Sequence, residues 1–231
     1  MIVVFGSVNV DLVLPVAALP RPGETVLTRG YSVVAGGKGA NQALAAARTG
    51  APVAMFGCVG RDGFAEAALA LLRTGGVDVS GIRTVEGATG CAMVCVDRGG
   101  ENQIVVASGA NLDAGAGQVP DGMLVPGNTV LLQLEVAAGE TRALIARARG
   151  RGARIVLNAA PASSQPDQVL AALDLLVVNR IEAAMLAEQM GLAEQMGLAE
   201  QPAQALARRH GLAVVVTLGG SGALAFTPGG D

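Results

Sequence analysis

Three features of the sequence predict an α/β fold, a mostly parallel sheet flanked by helices with a small β lid. Short β-branched runs alternate with alanine-rich stretches, the pattern of parallel strands joined by crossover helices. Of the 231 residues, 51% are hydrophobic and only 15% charged, enough apolar surface for a large core and too little charge for a disordered chain. The 33 glycines beside only 2% aromatic residues favour helices packed closely on strands. At roughly 150 residues per domain the length suits one to two domains, and the alternation reads as one unit over 1–231.

The elements follow in order. Residues 2–5 form a β-branched run entering Gly6 and read as the first strand. Residues 11–16 and 25–34 have strand character with no helix between them. Residues 40–49 read as a helix, 53–57 as a strand and 64–74 as a helix. Residues 91–96 and 103–107 are again strand-like without a helix; with the earlier pair they account for lid segments near 11–34 and 91–107. The alternation resumes through 130–134, 140–149, 154–157, 169–173, 175–178, 181–188, 203–210 and 213–218. The last run pairs with 223–226, and the turn signal Pro228-Gly229-Gly230-Asp231 with no following element suggests a chain cut short. Within this order a hexamer, residues 186–191, recurs as 192–197. Six residues are too few for a solenoid repeat, whose periods begin near ~20, so the duplication reads as a lengthened surface helix or loop.

Charge and cysteine content narrow the partners. Sixteen basic and 19 acidic residues give a formal net charge of −3, and no Lys or Arg run supplies the basic footprint a nucleic acid needs. The uncharged stretch 211–230 is interrupted by Gly219, Gly220 and Gly222, so it reads as core strands with a loop and not as a membrane span. No basic leader or cleavage site opens the chain. Cys91 and Cys95 on one strand would stand about 13 Å apart, too far to bridge. A reducing cytoplasm is the expected compartment. Three scattered cysteines and one histidine have no zinc-ligand spacing, and His210 reads as a helix-end cap.

Chemistry concentrates at glycine-rich turns. Gly36-Gly37-Lys38-Gly39-Ala40-Asn41 runs straight into a helix, where backbone amides can approach a ligand and Lys38, the only lysine in the chain, and Asn41 add donors. It is not a P-loop, because Gly39 stands where Ser or Thr would hold Mg²⁺. Gly6-Ser7-Val8-Asn9-Val10-Asp11 leaves the first strand at its carboxyl end, the edge where parallel α/β sheets bind ligands. Asn9 and Asp11 alternate onto one side there, and Asp11 could accept hydrogen bonds from two hydroxyls of a polyol. Glu135 ends another strand. Each of these is also a residue that turns and caps use. Gly219-Gly220-Ser221-Gly222 lacks the spacing of a dinucleotide fingerprint, which argues against a nicotinamide-dependent dehydrogenase.

Taken together, Gly6 to Asp11, Pro20-Arg21-Pro22-Gly23-Glu24-Thr25 and Gly36 to Ala43 resemble the opening of the PfkB-type carbohydrate kinases. The resemblance continues through Leu131 to Glu135, Leu157 to Ala162, Asn179 to Glu182 and Thr217-Leu218-Gly219, and so spans the chain. Gly99-Gly100-Glu101-Asn102 and Gly109-Ala110-Asn111 resemble more narrowly its ribokinase branch. The resemblance implies that Asn9, Asp11, Gly37, Lys38, Gly39, Asn41 and Glu135 hold the hydroxyls of a sugar. It implies that Asn179 with Thr217, Leu218, Gly219, Gly220, Ser221 and Gly222 binds ATP, and that Glu182 serves Mg²⁺.

The resemblance further implies phosphorylation of D-ribose to D-ribose 5-phosphate, a monovalent cation (K⁺) and a homodimer joined through the lid. The pattern also departs from the family. The Gly-Ala-Gly-Asp motif that carries the family's base and anion hole is not among these residues, and is expected beyond Asp231 together with the cation segment. A sugar-binding protein without transferase activity, or a kinase for another sugar or a nucleoside, therefore stands beside the ribose-kinase expectation.

Overall fold

The computed structural model describes residues 1–191 and 201–229. Strands β1 (Ile2–Phe5), β4 (Val53–Gly60), β5 (Asp78–Val85), β8 (Thr129–Leu132), β9 (Arg154–Asn158), β10 (Leu175–Asn179), β11 (Ala213–Thr217) and β12 (Ala223–Phe226) form one eight-stranded sheet. Its order is β12-β11-β10-β9-β8-β1-β4-β5. Every neighbouring pair is parallel except β11 with β12. A second sheet, the lid, comprises β2 (Asn9–Pro15), β3 (Ser32–Gly36), β6 (Gly90–Val96) and β7 (Asn102–Ala107), in the order β3-β2-β6-β7.

Helices close both faces of the main sheet. On one side α1 (Lys38–Arg48) and α2 (Ala65–Thr74) bury Ala40, Ala43, Leu44, Ala68, Leu69 and Leu72 against Val4, Val53 and Met55. On the other, α3 (Ala138–Arg151), α5 (Arg180–Gln189) and α6 (Gln201–His210) bury Leu144, Ile145, Leu186 and Leu206 against Phe5, Leu132, Leu157 and Val214. All eight residues of β4 are buried, which is why that segment reads as a continuous apolar run and not as an alternation. A fully buried Leu, Ile or Phe contributes about 1.5–3 kcal/mol, so these two layers dominate the stability of the fold.

Local devices fix where the helices begin and end. Helix α3 ends at Gly152, whose φ of 80° is left-handed and costs glycine nothing. Helix α5 begins with a capping box in which Asn179 Oδ1 accepts from the Glu182 amide and Glu182 Oε2 accepts from the Asn179 amide, both at 2.8 Å. Residues 169–173 contribute the end of a single turn, α4 (Asp167–Leu170).

Several expectations need correction. Residues 25–34 supply a strand only at Ser32–Gly36, and β2 starts at Asn9, two residues early. Strand β5 was not expected. It is an edge strand of mixed burial, and Gly81 within it lies against the Phe56 ring, where a Cβ would fall 2.4 Å from a ring carbon. His210 does not act as a simple cap, since its Nε2 lies 3.2 Å from Met190 Sδ in the α5–α6 seam. The first hexamer copy ends α5; its repeat at 192–197 lies outside the described residues. None of the described helices is long and apolar enough to cross a membrane.

Candidate functional site

Because β1, β8, β9, β10 and β11 run parallel, their carboxyl ends share one edge of the sheet. Residues 6–11 leave β1 there, Glu135 follows β8, Asn179 ends β10 and Thr217 ends β11. At about 4.8 Å per strand, the ends of β8 and β11 stand about 14 Å apart.

The lid folds over the β1–β8 end of this edge. Register pairs Asn9 with Gly36 and with Gly90, so three lid strands meet the body at one point. Asn111 pins that hinge: its Nδ2 donates to Asn9 Oδ1 at 2.6 Å, and its Oδ1 accepts from the Val8 amide at 2.9 Å. Both asparagines are buried. Gly90 must lack a side chain, because a Cβ there would lie 2.1 Å from Asn9 Oδ1.

Beneath the lid, Asn9, Asp11, Gly37, Lys38, Asn41 and Glu135 line a cleft of about 160 Å³, roofed by Ala92, Val94, Ile104 and Val106. It opens into a neighbouring space of about 340 Å³ that shares Asn9, Lys38, Val106 and Glu135 and adds Ser108, Asn111, Leu134 and Pro161. A volume of this order suits a small polyol, whose hydroxyls need dense polar partners beside an apolar roof. Gly39 does not line the cleft; it lies beneath it, with a hypothetical Cβ 2.7 Å from the Ser7 amide nitrogen.

Helix α1 has no side-chain cap of its own, its N-cap being Gly37 at φ 91°. Its first amides find partners far along the chain. The Lys38 amide donates to Glu135 Oε2 at 2.9 Å, and the Gly39 amide to Ser7 Oγ at 3.2 Å. Ser7 Oγ in turn donates to Glu135 Oε2 at 2.6 Å. A carboxylate at a helix N-terminus is stabilised by the helix dipole. Lys38 Nζ stands 3.6 Å from Glu135 Oε1. Asp11 lies against Gly36, where a Cβ would fall 2.3 Å from its carboxylate. Burial, then the charge of Glu135, raise its pKa against the opposing pull of Lys38.

The second group sits apart. Asn179 and Thr217 are adjacent in register, and Thr217 opens an exposed loop closed by Leu218 donating to Gly222 O at 2.7 Å. Gly219 and Gly222 have φ of 60° and 89° with open space around them, so backbone conformation alone asks for glycine. Glu182 is buried, with one oxygen committed to the capping box. Among the described residues no three acidic, cysteine or histidine side chains gather as a metal cluster. The capping box commits Oε2 of Glu182, so Oε1 is the oxygen a cation would have to use, with water and other oxygens completing its shell.

Ser7 and Asn111 also belong to this geometry. Ser7 sits within the first motif but its role depends on a carboxylate 128 residues away, and Asn111 within Gly109-Ala110-Asn111 reaches 102 residues back. Burial raises the pKa of the Cys58 and Cys91 thiols.

The model of the pfkB family carbohydrate kinases matches residues 1–231. The chain is 37% identical to the ribokinase of Haemophilus influenzae over 186 residues, covering 79% of this chain and 61% of that protein. It is 34% identical to the ribokinase of Schizosaccharomyces pombe over 243 residues, covering 100% of this chain and 76% of that protein. The structure of Arabidopsis thaliana ribokinase complexed with ribose and ATP superposes with a TM-score of 0.83 at 27% identity, covering 100% of this chain and 75% of that one. The chain thus spans about three fifths of the length of the Haemophilus relative.

Proposed function

The chain belongs to the pfkB family of carbohydrate kinases, and from that membership we propose that it serves the transfer of the γ-phosphoryl group of ATP to the 5-hydroxyl of D-ribose. The observation that carries the reading is the convergence of Asn9, Asp11, Lys38 and Glu135 on one small cleft under a lid. Ribose is favoured among sugars because the Haemophilus and Schizosaccharomyces relatives are ribokinases and the Arabidopsis structure holds ribose and ATP.

In this reading Asp11 accepts two sugar hydroxyl hydrogen bonds, Lys38 and Asn41 donate, and Glu135 accepts a further one. The apolar roof from β6 and β7 excludes water that would otherwise take the phosphoryl group. The Thr217–Gly222 loop and Asn179 hold ATP. Mg²⁺ held beside Glu182 would neutralise phosphate charge; K⁺ belongs to the same proposal by family resemblance. The proton of the 5-hydroxyl needs a base, and the Gly-Ala-Gly-Asp motif expected to carry one is on none of these residues. The second reading is a sugar-binding protein without transfer.

A homodimer through the lid is part of the proposal. Val33, Leu12, Met93 and Val105 form a cross-strand row on the lid face opposite Asp11 and Ala92, and Val33, Met93 and Val105 are exposed. A reducing cytoplasm remains the proposed location, consistent with three free cysteines. The test is formation of D-ribose 5-phosphate by the 231-residue chain with Mg-ATP, K⁺ and D-ribose, beside Asp11→Ala. Turnover abolished in the variant supports the kinase reading; ribose binding without turnover supports the second.

A further inference from the structure

Ser7 is wholly buried and lines neither part of the cleft, yet its hydroxyl joins three elements at the cleft floor. As donor it can give one proton, and that proton goes to Glu135 Oε2 at 2.6 Å. Its lone pair accepts from the Gly39 amide at 3.2 Å, and its own carbonyl accepts from the Ala40 amide at 2.9 Å. Glu135 Oε2 is thereby held by two donors, the Ser7 hydroxyl and the Lys38 amide. Only Oε1 is left for the Lys38 ammonium and for the cleft. The surrounding backbone leaves no slack: a Cβ on Gly37 would lie 2.9 Å from Ser7 O, and one on Gly39 2.7 Å from Ser7 N.

We propose that Ser7 is a positioning residue that fixes the rotamer of Glu135, turning Oε1 toward the sugar hydroxyl and toward Lys38, while closing the N-terminus of α1 in place of a local cap. The inference rests on the cleft being the sugar site. A hydrogen bond to a charged group outweighs a neutral one, and a freed Glu135 would have to be ordered again on binding.

The test uses the full chain with Ser7→Ala, Ser7→Cys, Glu135→Gln and the double variant Ser7→Ala/Glu135→Gln. Calorimetric titration with D-ribose should show Ser7→Ala weakening affinity about 10-fold. Ser7→Cys, which replaces the hydroxyl by a larger and weaker donor, should weaken it nearly as much. In the Glu135→Gln background the Ser7→Ala effect should fall to about 2-fold or less, because the residue it acts through has changed. A readout that needs no sugar is amide hydrogen exchange: Lys38 and Gly39 should exchange about 10-fold faster in Ser7→Ala while the β4 amides stay protected. Equal Ser7→Ala effects in both backgrounds, Ser7→Cys behaving as the parent, or unchanged exchange at Lys38 and Gly39 would each overturn the assignment. Failure of the parent chain to bind D-ribose, with the exchange pattern as expected, would overturn the ribose reading and the sugar-orienting role, but not the cap that Ser7 gives α1.

Discussion

The cleft under the lid and the Thr217 loop lie on the same edge of one sheet, yet they are built differently. The cleft is tied by contacts between residues 97 to 128 positions apart, Lys38 and Ser7 to Glu135, and its glycines are needed because backbones touch. The loop and the Asn179–Glu182 box are tied within three or four residues, and its glycines are needed for their dihedral angles alone. The cleft depends on the fold bringing distant segments together, whereas the loop and the box each form from their own short segment.

Substitutions that strike one region and spare the other sharpen this contrast. Asp11→Ala removes two charge-assisted acceptors and should weaken D-ribose by roughly 100-fold or more while leaving an ATP analogue within about 2-fold, as measured by calorimetry. Gly39→Ala, whose Cβ would fall 2.7 Å from the Ser7 amide nitrogen, should cost about 10-fold or more in ribose affinity, whereas Gly220→Ala, with nothing near its Cβ, should leave ribose affinity unchanged. A similar loss in both glycine variants would break the distinction. Glu182→Ala should lower the melting midpoint by about 2–4 °C through loss of a cap worth ~1 kcal/mol, and weaken the nucleotide without touching ribose.

The smallest effect is a pH dependence with two opposite signs. Burial and Glu135 raise the pKa of Asp11 in the folded chain. Between the ordinary aspartate value and that raised value, the folded state binds more protons than the unfolded one, so ionising Asp11 costs stability as pH rises through the window. Asp11→Asn should therefore melt slightly higher than the parent at neutral pH, with the difference vanishing below the ordinary aspartate range. Ribose affinity should change the other way, falling as acid protonates Asp11 at a pH above that of an ordinary aspartate. Parallel changes in melting and affinity would contradict a charged, partly buried Asp11.

The same contrast explains what the sequence revealed. The alternation of β-branched and alanine-rich runs was enough to place most sheet strands, since both faces of β4 and one face of each helix are buried. Asn179 to Glu182 stands out in the sequence by resemblance alone, as a ligand motif; the capping box it forms within one turn emerges only in the structure. Strand β5 was missed because Gly81 and mixed burial weaken its alternation, and Gly81 is explained only by the Phe56 ring beside it. Residues 25–34 have strand-like composition throughout, but only Ser32–Gly36 finds a partner, β2. Ser7 and Asn111 stood inside recognised motifs, yet their tasks are contacts across more than a hundred residues, and no local pattern encodes a partner at that distance.

The measurement that bears most directly on the cleft as the sugar site is a paired titration of the parent chain and Asp11→Ala, first with D-ribose and then with a non-hydrolysable ATP analogue. The expected result is ribose binding by the parent that is lost in Asp11→Ala, with the analogue bound about equally by both. Ribose bound equally by both proteins, or ribose and nucleotide weakened together, would contradict it.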